Sequence, residues 1–109
     1  MEEQINGGLL VSEDMQLHSK EAANLLKKLA NEHRLLITCT LVGRELSVGE
    51  LNELIPLSQS SLSQHLASLR AGGLVKTRRE SQTIYYSLCG EEAIKIITVL
   101  QSIYCPNLG

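Results

Sequence analysis

Ser47-Val48-Gly49-Glu50-Leu51-Asn52-Glu53-Leu54-Ile55-Pro56-Leu57-Ser58-Gln59-Ser60-Ser61-Leu62-Ser63-Gln64-His65-Leu66-Ala67-Ser68-Leu69 holds two helix starts on either side of one turn. Ser47 followed three positions later by Glu50 is a capping box, and the helix it opens must end before Pro56, because the residue preceding a proline is driven out of the helical region. Pro56-Leu57 is then the turn. Ser58 caps the next helix, in which Leu62, Leu66 and Leu69 share one apolar stripe and whose end is marked by Gly72-Gly73. Two short capped helices across a tight turn predict a helix-turn-helix.

Working outward, the period changes to two after Gly73. Residues 74–79 and 83–88 read as strands joined by the polar turn Glu80-Ser81-Gln82, a β-hairpin wing. Residues 91–104 resume the helical period, and Pro106 stops it. Upstream, Ser12 and Asp14 are candidate caps of a first helix running to about Ala30 on Met15, Ala22, Leu26 and Leu29. Asn31 caps a second, to about Val42, which Gly43 closes. Residues 1–11, with Gly7-Gly8 and no period, read as a flexible N-terminal arm, leaving 12–109 as one winged helix-turn-helix domain, mainly α with a β-hairpin wing.

Composition agrees with a folded domain: 109 residues, 43% hydrophobic, only two prolines. Apolar stretches fall short of the roughly 20 residues that a membrane span needs, and Met1-Glu2-Glu3 has the wrong sign for a signal peptide, so a soluble cytoplasmic protein is expected. The three cysteines are odd in number and form no C-x-x-C, which argues against a disulfide framework or a zinc knuckle. No paired-carboxylate, Gly-rich phosphate or Ser/His/Asp arrangement suggests an enzyme, and no cofactor is expected.

The net charge of −2 conceals a polarity. Residues 1–57 carry nine acids against five bases, whereas residues 58–86 carry Arg70, Lys76, Arg78 and Arg79 against Glu80 alone. A basic patch on an acidic body suits a phosphate backbone. On a helical wheel, Ser60, Gln64, Ala67 and Ala71 lie opposite the leucine stripe, with Ser63 and Ser68 at its edges. That small, hydrogen-bonding face can approach a major-groove floor, where Gln64 is suited to adenine. Ser58, Gln59, Ser60 and Ser61 place a helix N-terminus for a phosphate. Arg78 and Arg79, with Gln82 in the turn, are placed for neighbouring phosphates or the minor groove. Each feature alone also fits ordinary solvated surface; the order of capped helix, turn, Ser/Gln helix and basic hairpin is what makes the reading specific.

The last helix is apolar on two sides: Ala93, Ile97, Leu100 and Tyr104 form one row, Ile96, Val99 and Ile103 another. One protomer can cover only one row. The second, with the first helix, is expected to be buried in a two-fold homodimer, though a wholly buried helix in a monomer fits the same pattern.

Asn31-Glu32-His33-Arg34-Leu35-Leu36-Ile37, Glu45-Leu46-Ser47-Val48-Gly49-Glu50-Leu51, Leu57-Ser58-Gln59-Ser60-Ser61-Leu62-Ser63-Gln64-His65-Leu66, Leu69-Arg70-Ala71-Gly72-Gly73-Leu74-Val75 and Tyr85-Tyr86-Ser87-Leu88 resemble the ArsR-type bacterial winged-helix repressors over residues 15–105. The resemblance implies a homodimer whose fourth helix reads an inverted repeat in operator DNA while an inducer loosens the grip. His65 falls toward the leucine stripe and reads as a packing residue. The family's familiar metal sites are absent: Ser47 and Gly49 stand where one would place cysteines, and Gly90, Glu92, Ile103 and Pro106 where the other needs carboxylate and histidine ligands, while His18, His33 and His65 lie elsewhere.

Cys39 shares a helix face with Leu35 and Val42 and fits a core filler, whereas Cys105 sits where the last helix ends and exposure should rise. The chain resembles the persulfide-sensing branch of the family, the SqrR/BigR-type repressors with the related HlyU regulators, which has a cysteine pair at these two places. That resemblance implies a sensing dithiol, Cys39 and Cys105. A persulfide or polysulfide inducer would close a sulfur bridge between them, longer than a disulfide whose Cα atoms lie within about 7 Å, and release operator DNA. Cys89 is taken as a spectator or as a resolving partner for Cys105. General peroxide or disulfide stress sensing, a virulence regulator that displaces another DNA-binding protein, a protein-interaction module and a non-standard metal sensor are the competing readings.

Overall fold

The computed structural model describes residues 12–105, so the arm expected over 1–11 and the helix stop at Pro106 lie outside the described residues. The first helix, α1, is Glu13–Leu29. Its cap is Ser12, whose Oγ accepts the Met15 amide at 3.1 Å, and its charge suits its dipole, with Glu13 and Asp14 in the first turn and Lys27 and Lys28 in the last. Helix α2, Glu32–Thr40, is capped by Asn31, whose Oδ1 accepts from the amides of His33 and Arg34 at 2.9 and 3.1 Å. It ends two residues before the expected Val42. Gly43, at φ +74°, reverses the chain there, and Arg44 Nε donates back to the Thr40 carbonyl at 2.7 Å.

Next comes an element that the periodicity does not announce, the two-residue strand β1, Leu46–Ser47. It leads directly into α3, Val48–Leu54, whose capping box is complete: Glu50 N–H donates to Ser47 Oγ at 3.2 Å and Ser47 N–H to Glu50 Oε1 at 2.9 Å. The turn over Pro56 is tight, with Leu57 N–H bonded to the Ile55 carbonyl and Asn52 Nδ2 donating to the Leu57 carbonyl at 2.7 Å. Ser58 then caps α4, Gln59–Ala71. Gly73, at φ +77°, turns the chain into β2, Val75–Glu80, and the turn at Ser81-Gln82 returns it as β3, Thr83–Leu88. The strands form an antiparallel sheet ordered β1-β3-β2, and α5, Glu91–Tyr104, closes the described chain.

All the helices contribute to one core, including Leu29, Ile37, Leu51, Leu62, Leu66, Leu69 and Ile97, each 2% exposed or less. The α4 stripe is thereby buried and its opposite face left outward. Thr38, also buried, is satisfied by its own helix, donating to the carbonyls of Arg34 and Leu35. On α1 only Leu29 is buried; Met15, Leu17 and Leu26 stand exposed. On α5 the first row is buried at Ala93 and Ile97 but reaches solvent at Tyr104, and in the second row Val99 and Ile103 are exposed. No helix among the described residues is long and apolar enough to cross a membrane.

Candidate DNA interface and thiol pair

The expected reading face is outward and continuous. Gln59, Ser60, Ser63 and Gln64 are exposed, as are Ala67, Ser68 and Ala71, while Ser61 is half-buried. Ser58 is committed to its cap: its Oγ accepts the Ser61 amide at 3.1 Å and lies 3.3 Å from the Ser60 hydroxyl. By helix geometry the amides of Gln59 and Ser60 have no intrahelical acceptor and face the approach to the helix end. With no acidic side chain along α4, nothing there opposes a phosphate.

The wing arginines part company. Strand alternation puts Arg79 and Ile84, cross-strand partners, on the sheet face shared with Val75, Thr77 and Tyr86, the face that packs on the core. Arg79 Nε donates to the Ser81 carbonyl at 3.2 Å, and Gln82 is exposed in the turn. Arg78 lies on the opposite face with its guanidinium occupied. Nη2 and Nε donate to Glu45 at 2.8–3.1 Å, Nη1 donates to Glu80 at 2.8 Å, and the group sits 4.9 Å over the Tyr85 ring. Bonding to Arg78 holds the Glu45 carboxyl below the usual carboxylate range, and the two carboxylates raise the already high Arg78 value. Of the two arginines expected to meet phosphates or the minor groove, Arg79 holds only the Ser81 carbonyl, whereas Arg78 is tied to two carboxylates. The Glu45 partner had no sequence signal, because the two residues lie 33 positions apart.

Folding brings Cys39 and Cys105 within electrostatic reach inside one protomer. Cys39, near the end of α2, is half-buried against the core; Cys105, the C-terminal cap of α5, is exposed, and α2 packs on α5. Burial raises the Cys39 thiol, and the neighbouring Cys105 raises it further. Cys89 is elsewhere. It precedes α5, whose 14 residues span about 21 Å, so the helix separates it from Cys105 by far more than the ~7 Å that a bridge tolerates. The His33 and His65 rings pack against each other, centroids 5.5 Å apart and tilted by 45°, joining α2 to α4. Among the described residues no group of three or more His, Cys, Asp or Glu is placed to hold a metal ion.

The model for the family described as bacterial regulatory protein, arsR family, matches residues 31–77. The transcriptional activator HlyU of Vibrio cholerae serotype O1 is 48% identical to this chain over 93% of the chain and 94% of the relative. Among solved structures, a transcriptional regulator HlyU from Vibrio vulnificus CMCP6 matches with a TM-score of 0.81 at 56% identity, covering 84% of this chain and 96% of the other. The transcriptional repressor BigR from Xylella fastidiosa matches with a TM-score of 0.81 at 44% identity, covering 88% and 98%.

Proposed function

The chain belongs to the ArsR family of winged-helix transcriptional regulators, which bind operator DNA, and from that premise we propose that it is a homodimeric repressor released from its operator by reactive sulfur species through Cys39 and Cys105. The observation that carries this reading is the pairing itself: one exposed and one half-buried thiol within a protomer, on helices that pack together, with Cys105 close enough to raise the Cys39 thiol.

The asymmetry assigns an order. Exposed Cys105 meets the inducer first; its thiolate attacks the outer sulfur of a low-molecular-weight persulfide, forms Cys105 persulfide and expels the carrier thiolate. A second equivalent converts Cys39 likewise. One protein persulfide anion then attacks the protein-bound sulfur of the other, giving a trisulfide bridge and releasing one hydrogen sulfide. No further oxidant is required. A bridge across α2 and α5 changes how α5 sits in the dimer and so how the two α4 helices are spaced, and half-sites about 34 Å apart do not tolerate a changed spacing. At the operator, Ser60, Ser63 and Gln64 face the bases, Gln59, Ser61 and the capped N-terminus at Ser58 face a phosphate, and Arg79 with Gln82 bring the wing to the flanking groove. Arg78 supports that surface from behind.

A second reading of the output shares this chemistry. One relative is named an activator and one structural neighbour a repressor. Occupying a site represses a promoter directly, and it activates one when it excludes another DNA-binding protein.

Treatment with a persulfide donor is expected to add one sulfur and remove two hydrogens per chain, to join the Cys39 and Cys105 peptides in digests, and to weaken operator binding. Cys39→Ser and Cys105→Ser are expected to stay bound. A bridge formed equally well by peroxide alone would assign general thiol-redox sensing instead, and a wild type whose DNA binding ignores persulfide would remove the proposal.

A further inference from the structure

The bonded Arg78 side chain crosses the sheet. In the order β1-β3-β2, Arg78 on β2 is the cross-strand partner of Tyr85 on β3, and Tyr85 is in turn the partner of Ser47 on β1. Two strand spacings separate β1 from β2, about 10 Å. The guanidinium spans that gap by lying over the Tyr85 ring, and it meets Glu45, the residue immediately before β1, through Nε and Nη2. It therefore joins two strands that share no ladder hydrogen bonds. Glu45 is also six positions beyond Cys39. The chain between them is stiff: Leu41 is 1% exposed in the core, Val42 N–H bonds to the Cys39 carbonyl, Arg44 N–H to the Leu41 carbonyl and Arg44 Nε to the Thr40 carbonyl.

We propose that the Glu45–Arg78 bond across Tyr85 is a clamp that transmits movement of the thiol-bearing end of α2 to the outer strand of the wing, making Glu45 a positioning residue for the wing. The inference rests on the reading of Cys39 and Cys105 as the sensing pair. Its physical content is a second attachment. The ladder between β1 and β3 already holds the inner strand of the wing to the body, whereas β2 is anchored in the core only at its base, through Val75 and its packing on α4, and its outer half, which carries Arg79, is held by its ladder to β3. With the clamp in place, a shift of residues 39–45 reaches β2 directly. Without it, that outer half follows only through the ladder to β3. Because Arg78 lowers the Glu45 carboxyl, the clamp persists into mildly acidic solution. Glu80, bonded to the same guanidinium through Nη1, belongs to β2 itself and links it to nothing outside the wing. That difference supplies a control matched in charge and neighbourhood.

The experiment compares operator affinity of the reduced and the trisulfide-bridged protein, at one salt concentration, for wild type, Glu45→Gln and Glu80→Gln. The ratio of the two affinities measures the coupling, which in allosteric proteins is typically about 5- to 150-fold. An exposed ion pair contributes little to stability, so both variants are expected to fold and, when reduced, to bind within about threefold of wild type. Glu45→Gln is expected to shrink the ratio by about threefold or more, and Glu80→Gln to leave it unchanged. A merely structural ion pair would change both affinities together and leave the ratio alone. An unchanged ratio in Glu45→Gln, or an equal reduction in Glu80→Gln, overturns the clamp. A wild-type ratio of one overturns the sensing reading beneath it, and is recognised before either variant is compared.

Discussion

The proton on the Cys39 thiol is held more tightly than usual, first because the residue is half-buried and then because a Cys105 thiolate would repel a second negative charge. The sign of the consequence is definite. A raised value means a smaller thiolate fraction at neutral pH, and alkylating agents react with the thiolate. Cys105 is therefore expected to be carboxymethylated first by iodoacetate, and the Cys39 rate should keep climbing with pH beyond the ordinary thiol value of 9.0. Replacing Cys105 with serine removes the second cause and leaves the first, so Cys39 should react faster in Cys105→Ser than in wild type at alkaline pH, where a thiolate would otherwise stand at Cys105, and nearly alike at neutral pH. Peptide mass spectrometry of timed samples measures both rates. If Cys39 reacts first, or is indifferent to the loss of Cys105, the order of attack assigned to the two sulfurs is wrong.

In the proposed complex α4 reads bases and the wing meets phosphates. Gln64→Ala should lower affinity for the operator by about 1–3 kcal/mol while leaving binding to unrelated duplex nearly unchanged, because the amide contributes only at a matching base. Arg79→Gln should weaken binding to all duplexes alike and reduce the slope of log affinity against log salt by about one. Fluorescence anisotropy over a salt series separates the two, and an unaltered slope in Arg79→Gln would remove the wing from the interface. These elements were legible because their signals are local. Ser47 with Glu50, Asn31 and Ser58 are caps read within four residues, and each makes the expected bond. What was not legible depends on distant partners. The strand β1 is two residues long, too short to show a period, and exists because Tyr85 and Tyr86 of β3 lie beside it. Arg78 and Arg79 are neighbours of one chemistry in the sequence, and only the pleat, with Glu45 arriving from 33 positions away, sends one to Glu45 and leaves the other bonded to the Ser81 carbonyl alone. The closeness of Cys39 to Cys105 is of the same kind: family resemblance named the pair, but no spacing rule could place an α2 thiol beside an α5 terminus.

At the scale of the whole molecule, one protomer leaves its apolar surface uncovered. Val99, Ile103 and Tyr104 on α5 are 56, 59 and 78% exposed, and Met15, Leu17 and Leu26 on α1 add to this surface. The radius of gyration is 17.0 Å, against about 13 Å for a compact chain of this length, because α1 buries only its last residue. In the proposed homodimer a second copy would cover both helices at once, and a two-fold interface is self-complementary: a residue near the axis meets its own counterpart. That property sharpens the test, since one aspartate placed near the axis becomes two like charges facing each other in an apolar contact. Val99→Asp is expected to sediment as a monomer at concentrations where wild type is a dimer. The outward face of its α4 is untouched, so it should retain weak, salt-sensitive binding to a single half-site and lose the gain that an inverted repeat gives a tethered pair. If wild type itself sediments as a monomer at micromolar concentration, or if Val99→Asp binds the inverted repeat as tightly as wild type does, then α1 and α5 do not form the dimer and a sulfur bridge at the end of α5 has no partner helix to displace.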